Sequence, residues 1–264
     1  MEWLPHLNLY PAYLRPLIRA GRGIGSGQHY LSWLRVSKLP TRATLGDALG
    51  IRTHRPHELG SDRELIYLWL RERDHDVIDI RENFPILFLS RTLELFGEFK
   101  ATHPSKGGLP QPLVITSLIT RRTEAGLVYE ARSIRKRGLD NIEEAQSLQV
   151  IQRWCEENGV DWKLVDTAGF KNPDVYSALL HIRHWFVRRF QPEEAPSRSY
   201  AEHFLAAYQH NEPLGEMQAR VASKLLLKAD EADDQFRFCA WARLIDVDVT
   251  KLIALNQPLY LRQA

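Results

Sequence analysis

Leu113-Val114-Ile115-Thr116-Ser117-Leu118-Ile119-Thr120 is a run of apolar and β-branched residues, and Leu127-Val128-Tyr129-Glu130-Ala131-Arg132-Ser133-Ile134-Arg135 is a second. Arg121 to Gly126 joins them with polar residues and a glycine. Two such runs across a short polar connection predict a β-hairpin, because branched and aromatic side chains suit a pleated surface and glycine suits a turn. Working outward, Ser61-Asp62-Arg63-Glu64 has the form of a capping box, and Leu65, Leu68 and Trp69 follow at spacings of three and four. That predicts a helix over 61–74. Val77-Ile78-Asp79-Ile80 predicts a short strand closed by Phe84-Pro85-Ile86, a second helix is expected over 88–100, and His103 to Pro110 is expected as a loop from its turn residues. Beyond the hairpin, Asp140-Asn141-Ile142-Glu143 offers another capping box, with a helix running to a stop at Asn158-Gly159 and a strand at Trp162-Lys163-Leu164-Val165. Helix, strand, hairpin, helix, strand describes an α/β core with a mixed sheet.

The flanks differ from this core. Residues 1–20 carry Leu7, Leu9, Tyr13, Leu14, Leu17 and Ile18 broken by Pro5, Pro11 and Pro16, which predicts an irregular or short helical arm. Gly21-Arg22-Gly23-Ile24-Gly25-Ser26-Gly27 follows. A dinucleotide-binding turn would need a strand before it and a helix after it, and neither pattern is present, so a flexible basic loop is expected. After about residue 174 the pattern becomes helical. Helices are expected over 175–190, 200–210, 214–228, 233–244 and 248–255, with a linker over 191–198 and a terminal strand at Pro258 to Leu261. Short helices before a last strand predict a smaller, winged-helix-like domain over 171–264, beside a larger domain over 1–170.

Composition bounds the partners. The 264 residues are 44% hydrophobic and 26% charged, enough for a sizeable core. No apolar run approaches the ~18–20 residues of a membrane-spanning helix. The first residues lack a cationic segment followed by an apolar one, so a soluble, cytoplasmic protein without membrane partners is expected. Cys155 and Cys239 make neither a disulfide framework nor a zinc site on their own. Net charge is only +2, yet residues 1–60 hold eight Arg or Lys against three acids, while 201–264 hold seven against nine. A polyanion would therefore meet the front half, where Arg, whose planar fork suits phosphate, dominates over Lys.

Three segments carry a family resemblance: Gly21-Arg22-Gly23 with Tyr30 and Trp33; Ser61-Asp62-Arg63-Glu64-Leu65; and Asp79-Ile80-Arg81-Glu82-Asn83-Phe84-Pro85. They stand in the same order as in the TnsA family, endonuclease subunits of heteromeric cut-and-paste transposases, which the chain resembles over roughly residues 20–170. The resemblance implies a restriction-endonuclease-like, PD-(D/E)xK fold for the first domain and cutting of the 5′ strand at transposon ends. It implies a DDE-type recombinase, TnsB-like, that cuts and joins the 3′ ends, and an ATPase regulator, TnsC-like, contacted through the C-terminal domain. It also implies magnesium, held by a helix Glu, a strand Asp and a Gln-x-Lys pair. Such chemistry needs a hard cation to polarise the phosphate and acidify the attacking water.

Carried over by position, Glu64 matches the helix Glu and Ser117 stands where the family has Asp. Ser133 and Arg135 stand at Gln-x-Lys, in a register without gaps from 117. Glu64 and Ser117 are then the metal positions. No Asp occurs between Asp79 and Asp140, so a slip of alignment restores none. A serine hydroxyl is neutral near pH 7, and Arg135 can clamp a phosphate but cannot serve as a general base. An alternative register places Glu130 and Arg132 as the acid–base pair, with Glu130 as the metal ligand. Arg22, Arg35, Lys38 and Arg132 are the candidate nucleic-acid contacts. His54, His57 and Glu58 are expected as a solvated loop cluster, the alternative being a metal site. His181, Arg183, His184, Arg188 and Arg189 are expected as a solvated helix face, the alternative being a DNA or partner contact. Two functions follow: a magnesium-dependent endonuclease at transposon-end DNA, or a catalytically degraded DNA-binding and assembly subunit bridging recombinase and ATPase.

Overall fold

The computed structural model describes residues 1–35, 48–135 and 141–262. In chain order its strands are β1 (Ala48–Leu49), β2 (Pro56–His57), β3 (Val77–Ile86), β4 (Ser105–Lys106), β5 (Leu109–Pro110), β6 (Leu113–Thr123), β7 (Gly126–Ile134) and β8 (Asp161–Val165). The helices among the described residues are α1 (Arg15–Arg19), α2 (Asp62–Glu72), α3 (Leu89–Glu98), α4 (Ile142–Glu157), α5 (Pro173–Val187), α6 (Glu194–Ala207), α7 (Leu214–Leu225) and α8 (Ala229–Trp241). The chain divides into two units. One is Met1–Leu68 with Asp76–Thr167, and the other is Trp69–His75 with Ala168–Ala264.

The first unit is mixed α/β. Its main sheet has the order β3-β6-β7-β8, antiparallel except between β7 and β8. The expected hairpin is present, with a longer first strand and a two-residue turn, since Thr123 pairs with Gly126. The antiparallel hairpin needs only that short turn, whereas the parallel step to β8 is made through α4. Asn141 caps α4 by accepting from the amides of Glu143 and Glu144, which extended backbone at the cap position allows. Leu148, Ile151, Trp154 and Cys155 of α4 pack with Leu95 and Phe96 of α3 and with Leu118 and Ala131 of the sheet.

β3 departs from the sequence-based expectation: it runs ten residues, straight through Pro85, which pairs with Val114. Proline is tolerated because β3 is an edge of the sheet. The expected loop over 103–110 is the small β4–β5 hairpin, turned by Gly107 and Gly108 at positive φ. The glycine-rich segment is also not the free loop expected. The Gly23 amide donates to Leu31 O at 2.7 Å. A Cβ on Gly23 would lie 2.4 Å from Pro85 Cγ, so only glycine lets this backbone lie on β3. Trp3, Tyr30 and Phe84 stack beside it, at 5.8 Å for Trp3–Phe84 and 6.5 Å for Tyr30–Phe84.

The second unit is helical. Tyr200, Phe204, Phe236 and Trp241 are buried in it, and Phe204 meets Phe236 at 5.2 Å. α6 begins at Glu194, inside the stretch expected as a linker. Pro196 is accommodated in its first turn, where a missing N–H breaks no helical bond. No described residue of 248–255 is helical, and the expected terminal strand is reduced to isolated bridges, Val247 with Leu261 and Pro213 with Pro258. Arg183 of α5 is buried over the Trp69 ring at 5.5 Å, so the cationic face expected to be solvated is not uniformly so. Among the described residues, no helix is long and apolar enough to cross a membrane.

Candidate functional site

Glu64, Tyr67 and Leu68 of α2 line one small notch with Ile80 and Glu82 of β3, Ser117 of β6 and Ile134 of β7. Its interior, about 10 Å³, has room for one water-sized particle. The helix acid and the hairpin serine expected to converge are thus brought to one place. Glu64 also closes the start of α2: its carboxylate accepts from the Gly60 amide at 2.7 Å and from Ser61 Oγ at 3.0 Å. Ser117 is buried, and its hydroxyl has no hydrogen-bond partner among the described residues.

The residue opposite Ser117 on β3 is Glu82, a buried carboxylate not singled out in the sequence. Arg55 grips it with both terminal nitrogens, at 2.9 Å to Oε1 and 2.6 Å to Oε2. His57 Nδ1 donates to Oε2 at 2.7 Å, and the Glu58 amide donates to Oε1 at 3.1 Å. Burial alone would raise the Glu82 pKa, but His57 and Arg55 outweigh it and hold the carboxyl at about 2. His57 Nε2 faces Thr53 Oγ1 at 2.9 Å. A Cβ on Gly50 would sit 2.6 Å from that nitrogen, so the glycine admits the imidazole. The histidine expected in a solvated loop is therefore fully buried. The correction has a visible cause: Thr53, Arg55, His57 and Leu59 are buried while His54 and Pro56 are exposed, the two-residue period of extended chain against a sheet. Four charged or polar residues within five positions of a strand, Asp79, Arg81, Glu82 and Asn83, were the other available signal, because buried charges demand partners. Arg81 meets Asp79 at 3.1 Å, and Asn83, at φ +48°, donates to Glu58 O at 2.8 Å.

The remaining candidates lie elsewhere. Ser117 pairs with Arg132 across the hairpin, and alternate residues face opposite sides, so Glu130, Arg132 and Ile134 share the Ser117 face. Ser133 and Arg135 turn away from it. Ser133 Oγ accepts from Trp162 Nε1 at 3.1 Å, and Arg135 pairs with Glu144 at 2.8 Å. Glu130 and Arg132 belong to a ladder of charges across the sheet. Asp76 meets Arg121 at 2.6 Å, Arg121 meets Glu130 at 2.8 Å, Glu130 meets Arg132 at 2.9 Å, and Arg132 meets Asp161 at 2.8 Å. Arg22 is buried, donates to Ser32 O and lies 3.8 Å from Glu58. Arg35 is exposed, and Lys38 lies outside the described residues.

A magnesium ion requires several hard, anionic oxygens in near-octahedral array. The notch offers one carboxylate, Glu64, already engaged by its own helix start, and one neutral hydroxyl, Ser117. The Glu82 oxygens are taken up by Arg55, His57 and a backbone amide. Among the described residues, no group of three or more His, Cys, Asp or Glu is placed to hold a metal ion. This donor set does not fit magnesium.

No protein-family model matches the chain. TnsA, the transposition protein of transposon Tn7 from Escherichia coli, is 27% identical to it over 145 residues, 55% of this chain and 53% of that protein. The match thus spans about half the length of the relative. Over that stretch the chain is similar to TnsA.

Proposed function

We propose that the protein is a TnsA-like transposition protein that works at transposon-end DNA as a binding and assembly subunit, bridging a TnsB-like recombinase and a TnsC-like ATPase, without cutting the 5′ strand itself. One observation carries the loss of cutting. The hydroxyl of Ser117 stands opposite a carboxylate, Glu82, whose oxygens are taken up by Arg55 and His57. The helix–strand–hairpin–helix–strand order supports a restriction-endonuclease-like first unit. The helices α6 to α8 with the Val247–Leu261 bridge support a winged-helix-like second one.

What remains of the notch is structural chemistry. Glu64 accepts from the Gly60 amide and the Ser61 hydroxyl just before α2, and the Arg55–His57–Glu82 cluster ties the extended segment before α2 to β3. The magnesium-dependent endonuclease reading keeps one observation in its favour, that Glu64 and Ser117 share the notch. Strand-cleavage assays with the cognate recombinase, ATPase and magnesium separate the two. The expected result is 3′ cutting with no 5′ cutting above background, unchanged by Glu64→Gln, which preserves the capping role because glutamine also serves there. Magnesium-dependent 5′ cutting abolished by Glu64→Gln would replace this reading with the endonuclease.

A further inference from the structure

A groove lies in the first unit between the end of α1, the Trp33–Arg35 segment and the β4–β5 hairpin, with a volume of about 440 Å³. That is within the ~300–1,000 Å³ of ordinary ligand sites. Among the described residues its walls include three cations, Arg22, Arg35 and Lys106, and no carboxylate. Leu17, Trp33 and Leu34 give it an apolar side. Arg22 is committed to Ser32 O, whereas the side chains of Arg35 and Lys106 have no hydrogen-bond or ion-pair partner among the described residues.

The groove is also held in shape. Tyr13 OH donates to Pro110 O at 2.6 Å, fastening the arm to the β4–β5 hairpin. Gly23 N donates to Leu31 O at 2.7 Å, fastening the glycine segment to the strand-like stretch that carries Trp33. A walled, preformed site binds without first ordering its own backbone, which lowers the entropic cost of binding.

We propose that this groove seats one nucleotide of a DNA strand, its phosphate against Arg35 and Lys106 and its base or sugar against Leu17 and Leu34. The proposal rests on the DNA-end reading above and locates a contact surface apart from the Glu64–Ser117 notch. The test is binding of a fluorescein-labelled 20-nucleotide single strand and its duplex, by anisotropy across a salt series, to the full chain and to an Arg35→Ala/Lys106→Ala variant. The variant is expected to bind at least about tenfold more weakly at low salt. Its slope of log K against log salt should be shallower by about 0.7–0.9, the contribution of one phosphate. Leu17→Ala should weaken binding without changing the slope, and Lys224→Ala, which removes a cation from α7, should leave both unchanged. A double variant that melts like the parent and binds DNA with unchanged affinity and slope overturns the groove while leaving the DNA-end reading intact. A parent protein that binds neither oligonucleotide overturns both. Displacement of the labelled strand by poly-glutamate as readily as by DNA, lost in the double variant, would reassign the groove to an acidic protein segment.

Discussion

Glu82 keeps a charge that its surroundings should extinguish. A carboxylate at 2% exposure remains ionised only because a bidentate guanidinium, an imidazole and an amide meet its lone pairs. Its folded pKa of about 2 lies below the ordinary 4.5, so its contribution to stability is complete above about pH 4.5 and is lost as pH falls through 2. Urea unfolding of the parent should weaken across that window, and Glu82→Gln should flatten this part of the profile. At neutral pH the same substitution should cost about 3–5 kcal/mol, because it strands Arg55 in the interior. A change below about 1 kcal/mol would show that the cluster contributes little. Sequence reasoning reached Glu64, whose role follows from its spacing to Ser61, and it reached Ser117 through the resemblance. It missed Glu82, since a buried acid is recognisable only from its partners, and Arg55 and His57 lie 27 and 25 residues away.

At the scale of elements, the docking of the glycine segment on β3 explains why the motifs at Gly21–Trp33 and Asp79–Pro85 occur together. Trp3 Nε1 donates to Pro85 O at 2.7 Å, Tyr30 OH donates to Glu82 O at 3.0 Å, and Asn83 Nδ2 reaches Ser32 Oγ at 3.2 Å. The backbone at Gly23 holds φ +70° with Pro85 pressed against it. Gly23→Ala therefore suffers both a left-handed backbone and a clash, and should lower stability by more than about 1 kcal/mol in thermal or urea unfolding. Gly169→Ala, where an added Cβ meets nothing within 4 Å, should change it far less. Element types in the first unit were readable because hairpin, caps and helix stripes are local patterns. β3 was shortened in the reading because proline usually ends strands, and only the sheet order reveals that this one is an edge. The glycine segment read as free because its restraint comes from Pro85, far along the chain. Residues 248–255 read as helical from composition, yet they form turns fixed by long-range bonds such as Asp248 N to Tyr260 O at 2.8 Å.

For the whole molecule, the surprise is the membership of Trp69–His75. The seven residues follow directly on the first turns of α2 but belong to the second unit. Arg73, buried, donates to Ala240 O at 3.0 Å and to Trp241 O at 3.3 Å, and burial with the nearby Arg243 lowers its pKa to about 10. Trp69 meets the Tyr176 ring at 5.5 Å. A fragment of residues 1–167 should therefore lack a cooperative melt, or show a red-shifted Trp69 emission, where the full chain shows neither defect. A fragment melting as sharply as the parent would count against this division. No local pattern in the sequence announces such an interleaving, since helix periodicity continues unbroken across Leu68. Interleaving also has a consequence for biosynthesis. Arg73 emerges from the ribosome 168 residues ahead of Trp241. At ~5–20 residues per second that is roughly 8–34 s of translation. Throughout that interval the nascent chain carries a guanidinium whose carbonyl partners have not been made, and until Tyr176 is added Trp69 also lacks its ring partner, so the tempo of elongation past Thr167 sets how long this segment stays open to chaperones or to aggregation.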